Sequence, residues 1–301
     1  MKAEPMNRRP LILGVGELLW DLLPSGRQLG GAPANFAYHA HSLGAEARVV
    51  SRVGNDAEGR DAVAYLQSRG LNPQFISVDP QAPTGTVSVE LSAGGTPSYT
   101  IHENVAWDSL TATRQVLDFA AQADVICFGT LGQRSPGARQ AIQAILQAGS
   151  QGTRCLLDVN LRQHFWSREL LLDSLKLANI LKLNHEELPV LAGMFGWSGE
   201  ESQQLRQSAA EFELEAVALT KGAAGSVLLL GGQLVACPGS AIQVMDTVGA
   251  GDSYTAALAL GILAGRDPRW IIQFAHEVAD YVCTQAGAMP AMPSRFASRL
   301  T

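Results

Sequence analysis

The stretch Asp246-Thr247-Val248-Gly249-Ala250-Gly251-Asp252, followed at once by an apolar run from Ser253-Tyr254, places a glycine-rich turn directly against a carboxylate. A glycine-rich turn that opens a helix presents unpaired backbone N–H groups and the positive end of the helix dipole, so it can hold a phosphate. Phosphoryl transfer to an alcohol is mostly positioning and charge stabilisation, with one base to accept the hydroxyl proton, and Asp252 stands where such a base is needed. The helix end is expected to keep Asp252 ionised. A plainer alternative is that Asp252 only caps its helix, worth roughly 0.5–2 kcal/mol, and the segment alone leaves both open. Neither GxxxxGK followed by Ser or Thr, nor GxGxxG after a strand, occurs, so the two commonest nucleotide fingerprints are missing.

Other short segments carry polar groups at the ends of apolar runs. Gly30-Gly31-Ala32-Pro33-Ala34-Asn35 contains a glycine pair that lets backbone and ligand meet closely. It also reads as an ordinary loop before a helix, with Pro33 in the first turn. Asp158-Val159-Asn160-Leu161-Arg162 offers a planar donor fork for substrate or phosphate, or a structural salt bridge. In Asn184-His185-Glu186-Glu187 the acids are either site residues or solvated first-turn carboxylates. Lys221, in Thr220-Lys221-Gly222-Ala223-Ala224-Gly225, is either a site residue or an exposed turn lysine.

These segments need elements to position them. Short β-rich runs alternate with longer helical patterns, the rhythm of βαβ units and a mainly parallel sheet. Strands are expected at Leu11–Val15, Arg48–Val53, Val125–Phe128, Arg154–Val159, Ile180–Leu183 and Ala216–Leu219. Helices are expected at Ala34–Leu43, Gly59–Ser68, Gly137–Ala148, Glu200–Phe212, Asp252–Ala264 and Pro268–Thr284. One stretch breaks the alternation: Thr84–Ser92, Gly94-Gly95 and Thr96–Glu103 read as a hairpin, with Val87, Val89 and Leu91 alternating on its first strand. It has no helix to cover its other face. That suits a small sheet standing off the main domain, as a lid over a ligand or a surface for another subunit, and an edge hairpin of the main sheet is the alternative.

Composition narrows the classes. A chain of 301 residues with 47% apolar and 17% charged residues can build one large α/β domain and is not disordered. A net charge of -6 gives no broad basic footprint for nucleic acid or an anionic membrane, so neither is expected as a partner. The run Leu11 to Leu23 is interrupted by Glu17 and Asp21 and is too short to span a bilayer. Cys127, Cys155, Cys237 and Cys283 are dispersed, which fits reduced thiols in a cytoplasmic protein.

Taken in order, the two glycine motifs resemble the ribokinase-like, or PfkB, carbohydrate kinases, and the resemblance extends over nearly the whole chain. It implies a three-layer α/β/α fold with a mainly parallel central sheet and a small β lid, in one domain over 1–301, with about 14–34 and 84–108 forming the lid. It implies Asp252 as catalytic base and Gly249, Ala250 and Gly251 as the anion hole. Asp21, Gly30, Gly31 and Asn35 would hold the sugar, with Arg162 on substrate or phosphate. Asn184 and Glu187 resemble the family's NxxE motif, which organises Mg²⁺ through bound water. Thr220, Lys221, Gly222 and Gly225 resemble its nucleotide-side turn, so ATP is the implied donor. His276 lies in the helix that lines the adenine pocket in relatives, where Asn is common. Asp246 and Val248, with Gln285 and Gly287, resemble a monovalent-cation loop, although Ala291 replaces a frequent serine, and K⁺ stays optional.

The stretch Tyr99–Asp108 is most similar to the fructokinase branch, so fructose is the implied sugar. His102 and Trp107 within it could equally be packing residues. Another sugar, such as 2-keto-3-deoxygluconate, ribose or a nucleoside, remains an alternative, as does a catalytically silent sugar- or nucleotide-binding regulator. The lid also offers a surface for a homodimer.

Overall fold

Runs such as Val125–Phe128 and Ala216–Leu219 are apolar at successive positions, so as strands they need cover on both faces. A computed structural model, which describes residues 8–23, 26–91 and 97–300, provides that cover. The first part of the chain forms β1 (Leu11–Val15), β2 (Leu19–Leu23), β3 (Gly26–Gly30), α1 (Ala32–Ser42), β4 (Glu46–Gly54), α2 (Ala57–Ser68), β5 (Ile76–Asp79), β6 (Gly85–Leu91) and β7 (Pro97–Ile101). There follow α3 (Arg114–Ala120), β8 (Val125–Phe128), α4 (Pro136–Gln147), β9 (Arg154–Asp158), α5 (Arg168–Leu177), β10 (Ile180–Asn184), α6 (Glu187–Phe195), α7 (Glu201–Glu211) and β11 (Ala216–Thr220). The chain closes with β12 (Ser226–Leu230), β13 (Gln233–Cys237), α8 (Ala250–Leu263), α9 (Pro268–Cys283) and α10 (Ser294–Ala297).

Nine strands make one sheet in the order β13-β12-β11-β10-β9-β8-β1-β4-β5. All its pairings are parallel from β5 to β11, and β12 and β13 extend it antiparallel. The period of two sends neighbouring residues to opposite cores: Ile12, Val125, Ile180 and Ala216 join the side chains of α1, α2, α8 and α9, while Leu13, Ile126, Leu181 and Val217 join those of α3 to α7. Helix α8 is buried from Ser253 to Ile262 on all sides, as its unbroken apolar sequence requires. Among the described residues no helix is long and apolar enough to cross a membrane.

Phe274 of α9 is fully buried, stacked on Trp270 at 4.8 Å and edge-on to Phe296 at 6.3 Å. Phe274→Ala should cost about 3–5 kcal/mol of stability, read as a lower urea midpoint with an unchanged slope.

The second sheet, in the order β3-β2-β6-β7, stands apart from the first. Strands β6 and β7 are antiparallel, with Val87 opposite Ile101, whereas β2 and β6 run parallel, with Asp21 opposite Val87. The Gly94-Gly95 turn lies outside the described residues. Leu19, Val87, Ile101, Val105, Trp107, Leu131 and Phe165 form the small apolar cluster beneath this sheet.

Candidate active site

A cavity of about 1250 Å³ opens at the carboxyl ends of β1, β9, β10 and β11, where open parallel sheets place their ligands. Asp21, Gly30, Val87 and Ile101 of the small sheet line one side, and Asp158, Lys182 and Asp252 of the main domain line the other.

Asp252 occupies the first turn of α8 and does not cap it, since no side-chain cap closes this helix. Its Oδ2 instead accepts a hydrogen bond from Asn35 Nδ2 at 2.8 Å. Burial, reinforced by Asp158, raises the Asp252 carboxyl to about 6, against the pull of Asn35, Lys182 and Arg162. Desolvation therefore outweighs the helix end expected to favour the ion, and the group still ionises below neutral pH. The turn itself depends on Gly249, which is left-handed at φ 78° and lies so close to Ala288 that an added Cβ would meet its carbonyl oxygen at 2.6 Å. The N–H groups of Gly251 and Asp252 lie in the first turn, where helix geometry supplies no acceptor, while the Ala250 N–H leans on Thr247 O at 3.3 Å. An uncapped first turn of this kind could pair its N–H groups with a phosphate.

Across the cavity, a Cβ on Gly30 would meet Asp21 Oδ2 at 2.7 Å, so only glycine lets the carboxylate lie along this strand. Gly31, at φ 110°, starts α1 with Glu17 O only 2.4 Å from where a Cβ would stand. Burial raises the Asp21 carboxyl to about 6, opposed by the Arg162 guanidinium. Arg162 is exposed, lines the cavity and makes no ion pair among the described residues, which disfavours the salt-bridge alternative. Asn35 thus both lines the cavity and is the direct partner of Asp252.

Asn184 and Glu187 are joined by reciprocal bonds: Asn184 Oδ1 accepts the Glu187 N–H at 2.9 Å, and Glu187 Oε2 accepts the Asn184 N–H at 2.8 Å. Glu187 is 4% exposed, so it is no solvated helix acid, and its Oε1 also accepts the Leu161 N–H at 3.0 Å. With both oxygens engaged by backbone, it suits contact with a metal through water better than direct ligation. Among the described residues no cluster of three or more His, Cys, Asp or Glu side chains is arranged to hold a metal, so a divalent ion here would rely on phosphates and waters.

At the far end, Thr220, Gly222, Gly225 and His276 line the cavity. His276 Nε2 pairs with Ser226 Oγ at 2.8 Å, and Ser226 Oγ pairs with Tyr254 OH at 3.0 Å. Lys221 departs from its expected place: its ammonium turns to Glu201 of α7 at 3.1 Å and does not line the cavity. Asp246 bridges two loops, accepting N–H groups of Val248 and Gly287, each at 3.0 Å. Beside the small sheet, Trp107 is 1% exposed under Arg134 and is a packing residue, whereas His102 is exposed and pairs with Ser88.

Two site residues escape sequence reasoning. Glu17 is 2% exposed on the cavity wall, holds the Ala32 N–H at 3.2 Å, and is raised to about 7 chiefly by burial. Lys182 points inward from β10 and pairs with Asp158 at 2.9 Å. The signals are a glutamate directly after the glycines of β1 and a lysine inside the apolar run Ile180–Leu183.

A model of the pfkB family of carbohydrate kinases matches residues 26–295. A fructokinase of Klebsiella pneumoniae is 30% identical over 307 aligned residues, covering 96% of this chain and 97% of the relative. A fructokinase of Escherichia coli is 29% identical, covering 93% and 95%. Among solved structures, an uncharacterized sugar kinase from Pyrococcus horikoshii in complex with ATP superposes with a TM-score of 0.82 at 28% identity, covering 96% of this chain and all of that one.

Proposed function

The chain belongs to the pfkB family of carbohydrate kinases, a phosphotransferase with an alcohol as acceptor, and from that premise we propose that it is a fructokinase. The observation that carries the mechanism is Asp252, held by Asn35 beside the uncapped turn of α8 and facing Asp21 across one cavity. In this reading the sugar hydroxyls rest on Asp21, the Gly30-Gly31 backbone and Asn35. Asp252 takes the proton of one hydroxyl, and that oxygen bonds to the terminal phosphorus of ATP as the bond to the ADP oxygen breaks. The N–H groups at the start of α8 face the charge on the transferring group. Asn184 and Glu187 would hold Mg²⁺ through water, and the ion would supply neutralisation of the phosphate oxygens. Thr220, Gly222, Gly225 and His276 take the nucleotide end, and Arg162 reaches sugar or phosphate. K⁺ would sit at Asp246 and Val248, in a loop the carboxylate already closes.

Fructose is favoured over an acid sugar by the cavity's charge. Glu17, Asp21 and Asp252 line it, while Arg27 is drawn off by Asp61 and stacked on Trp20 at 4.6 Å, leaving Arg162 as the exposed cation. The fructokinase relatives support the same choice. Four free cysteines support a cytoplasmic setting. Exposed Leu22 and Tyr99 on the small sheet support a homodimer formed through the lid.

A coupled assay with Mg-ATP, with and without K⁺, over fructose, ribose, 2-keto-3-deoxygluconate and adenosine tests the proposal. Fructose should give the highest kcat/KM. Preference for another acceptor overturns the fructose assignment, and nucleotide binding without product for any of them points to the silent regulator.

A further inference from the structure

Lys182 and Asp158 form a buried ion pair whose side chains are 9% and 7% exposed. Such a pair is expensive to desolvate and contributes little net stability against a well-packed apolar alternative. Its position suggests another use. Parallel register sets Lys182 beside Asp158 on adjacent strands β10 and β9. Asp158 Oδ1 accepts from Lys182 Nζ at 2.9 Å, and Oδ2 accepts from Thr255 Oγ1 at 2.9 Å. The same hydroxyl lies 2.9 Å from Gly251 O, one turn earlier in α8, so its single proton is shared between the carboxylate and that carbonyl. On the same side, Lys182 Nζ lies 3.4 Å from where a Cβ on Gly251 would stand, so the ammonium abuts the turn that carries Asp252.

Resting on the reading of Asp252 as base, we propose that the Asp158–Lys182 pair acts as a charge-setting and positioning device for the first turn of α8, fixing through Thr255 and through opposed charges the field in which Asp252 ionises. Both partners are positioning residues, since neither needs to touch the sugar. The other groups facing Asp252 are Glu17 after β1, Arg162 after β9 and the neutral Cys127 thiol of β8, while Glu187 of α6 faces Lys182. Asp158 works to raise the Asp252 carboxyl and Lys182 to lower it. For Lys182 itself, burial favours loss of its proton, but Asp158, Glu187 and Asp252 outweigh it and hold it charged. Opposed contributions from neighbouring strands let the pair trim the base without adding net charge beside the transferring phosphoryl.

The test is the acid limb of kcat/KM against pH, where activity falls as Asp252 takes up a proton. Asp158→Asn keeps the shape of the side chain, removes the charge that raises Asp252, and leaves Lys182 in place. Its limb should move to lower pH by about one unit. Adding Lys182→Met to that variant alters only the cation and should return the limb toward the parent value. Thermal melts check that both variants are folded, and if the double variant is not, the single one decides. Lowered turnover with limbs unmoved, or moved in the opposite order, overturns the proposal and leaves the pair structural. The base assignment is checked apart by Asp252→Asn, since turnover kept in that variant sinks the premise, whereas turnover lost there with unmoved limbs sinks only this inference.

Discussion

Asp252→Asn lowers kcat by about 10²–10⁴, the range expected when a positioned base is removed, while ATP affinity and melting temperature stay near their parent values. The expectation rests on geometry. Asn is close in shape to Asp, and its amide oxygen can still accept from Asn35 Nδ2, the contact that Asp252 Oδ2 makes at 2.8 Å. The first-turn N–H groups of α8 are backbone and remain. What disappears is an acceptor for the sugar proton that, at about 6, is roughly nine-tenths ionised at pH 7. Single-turnover kinetics separate this loss from product release, and equilibrium titration with ATP measures the affinity. Turnover within a factor of a few of the parent enzyme would overturn the assignment of Asp252.

Gly249→Ala should lower kcat/KM by about 10²–10³, comparable to the loss of an oxyanion-hole donor, although it removes no polar atom. The left-handed backbone at φ 78° costs roughly 1–2 kcal/mol for any residue with a Cβ. The new methyl would also face Ala288 O at 2.6 Å and Ala288 Cα at 2.8 Å, so either the start of α8 or the 287–289 segment must move. Gly193, inside α6 with nothing within 4 Å of an added Cβ, is the matched control, and Gly193→Ala should leave catalysis unchanged. Equal kinetics for the two variants would mean that the geometry of the turn is not what catalysis uses.

The six strands and six helices expected from patterning lie within a few residues of β1, β4, β8, β9, β10, β11 and of α1, α2, α4, α7, α8 and α9. These are long or bounded runs in which apolar spacing is a local property. Strands β12 and β13 are missing from that reading, although the Gly231-Gly232 turn between Leu230 and Gln233 carries a hairpin signal. The DTVGAGD turn is legible because cradle and carboxylate are contiguous. Asn35 and Asp252 are 217 positions apart, and only the packing of α1 against α8 brings the Asn35 amide to the Asp252 carboxylate. Lys182 is opaque for a related reason. A lysine in a strand reads as solvent-facing, and only the register with Asp158 shows an ammonium turned inward. Lys221 shows the reverse, since a glycine turn after a strand places its lysine by whatever helix lies outside, here Glu201 of α7.

One of the links between the small sheet and the main domain runs from β3 to α1 at Gly31, and Asp21 rides on that sheet while Asn35 and Asp252 do not. Gln163 Nε2 ties the two bodies at Tyr99 O over 2.6 Å. Gln163 and Tyr99 both line the cavity, so a substitution that cuts this tie is expected to change KM for the acceptor together with the position of Asp21.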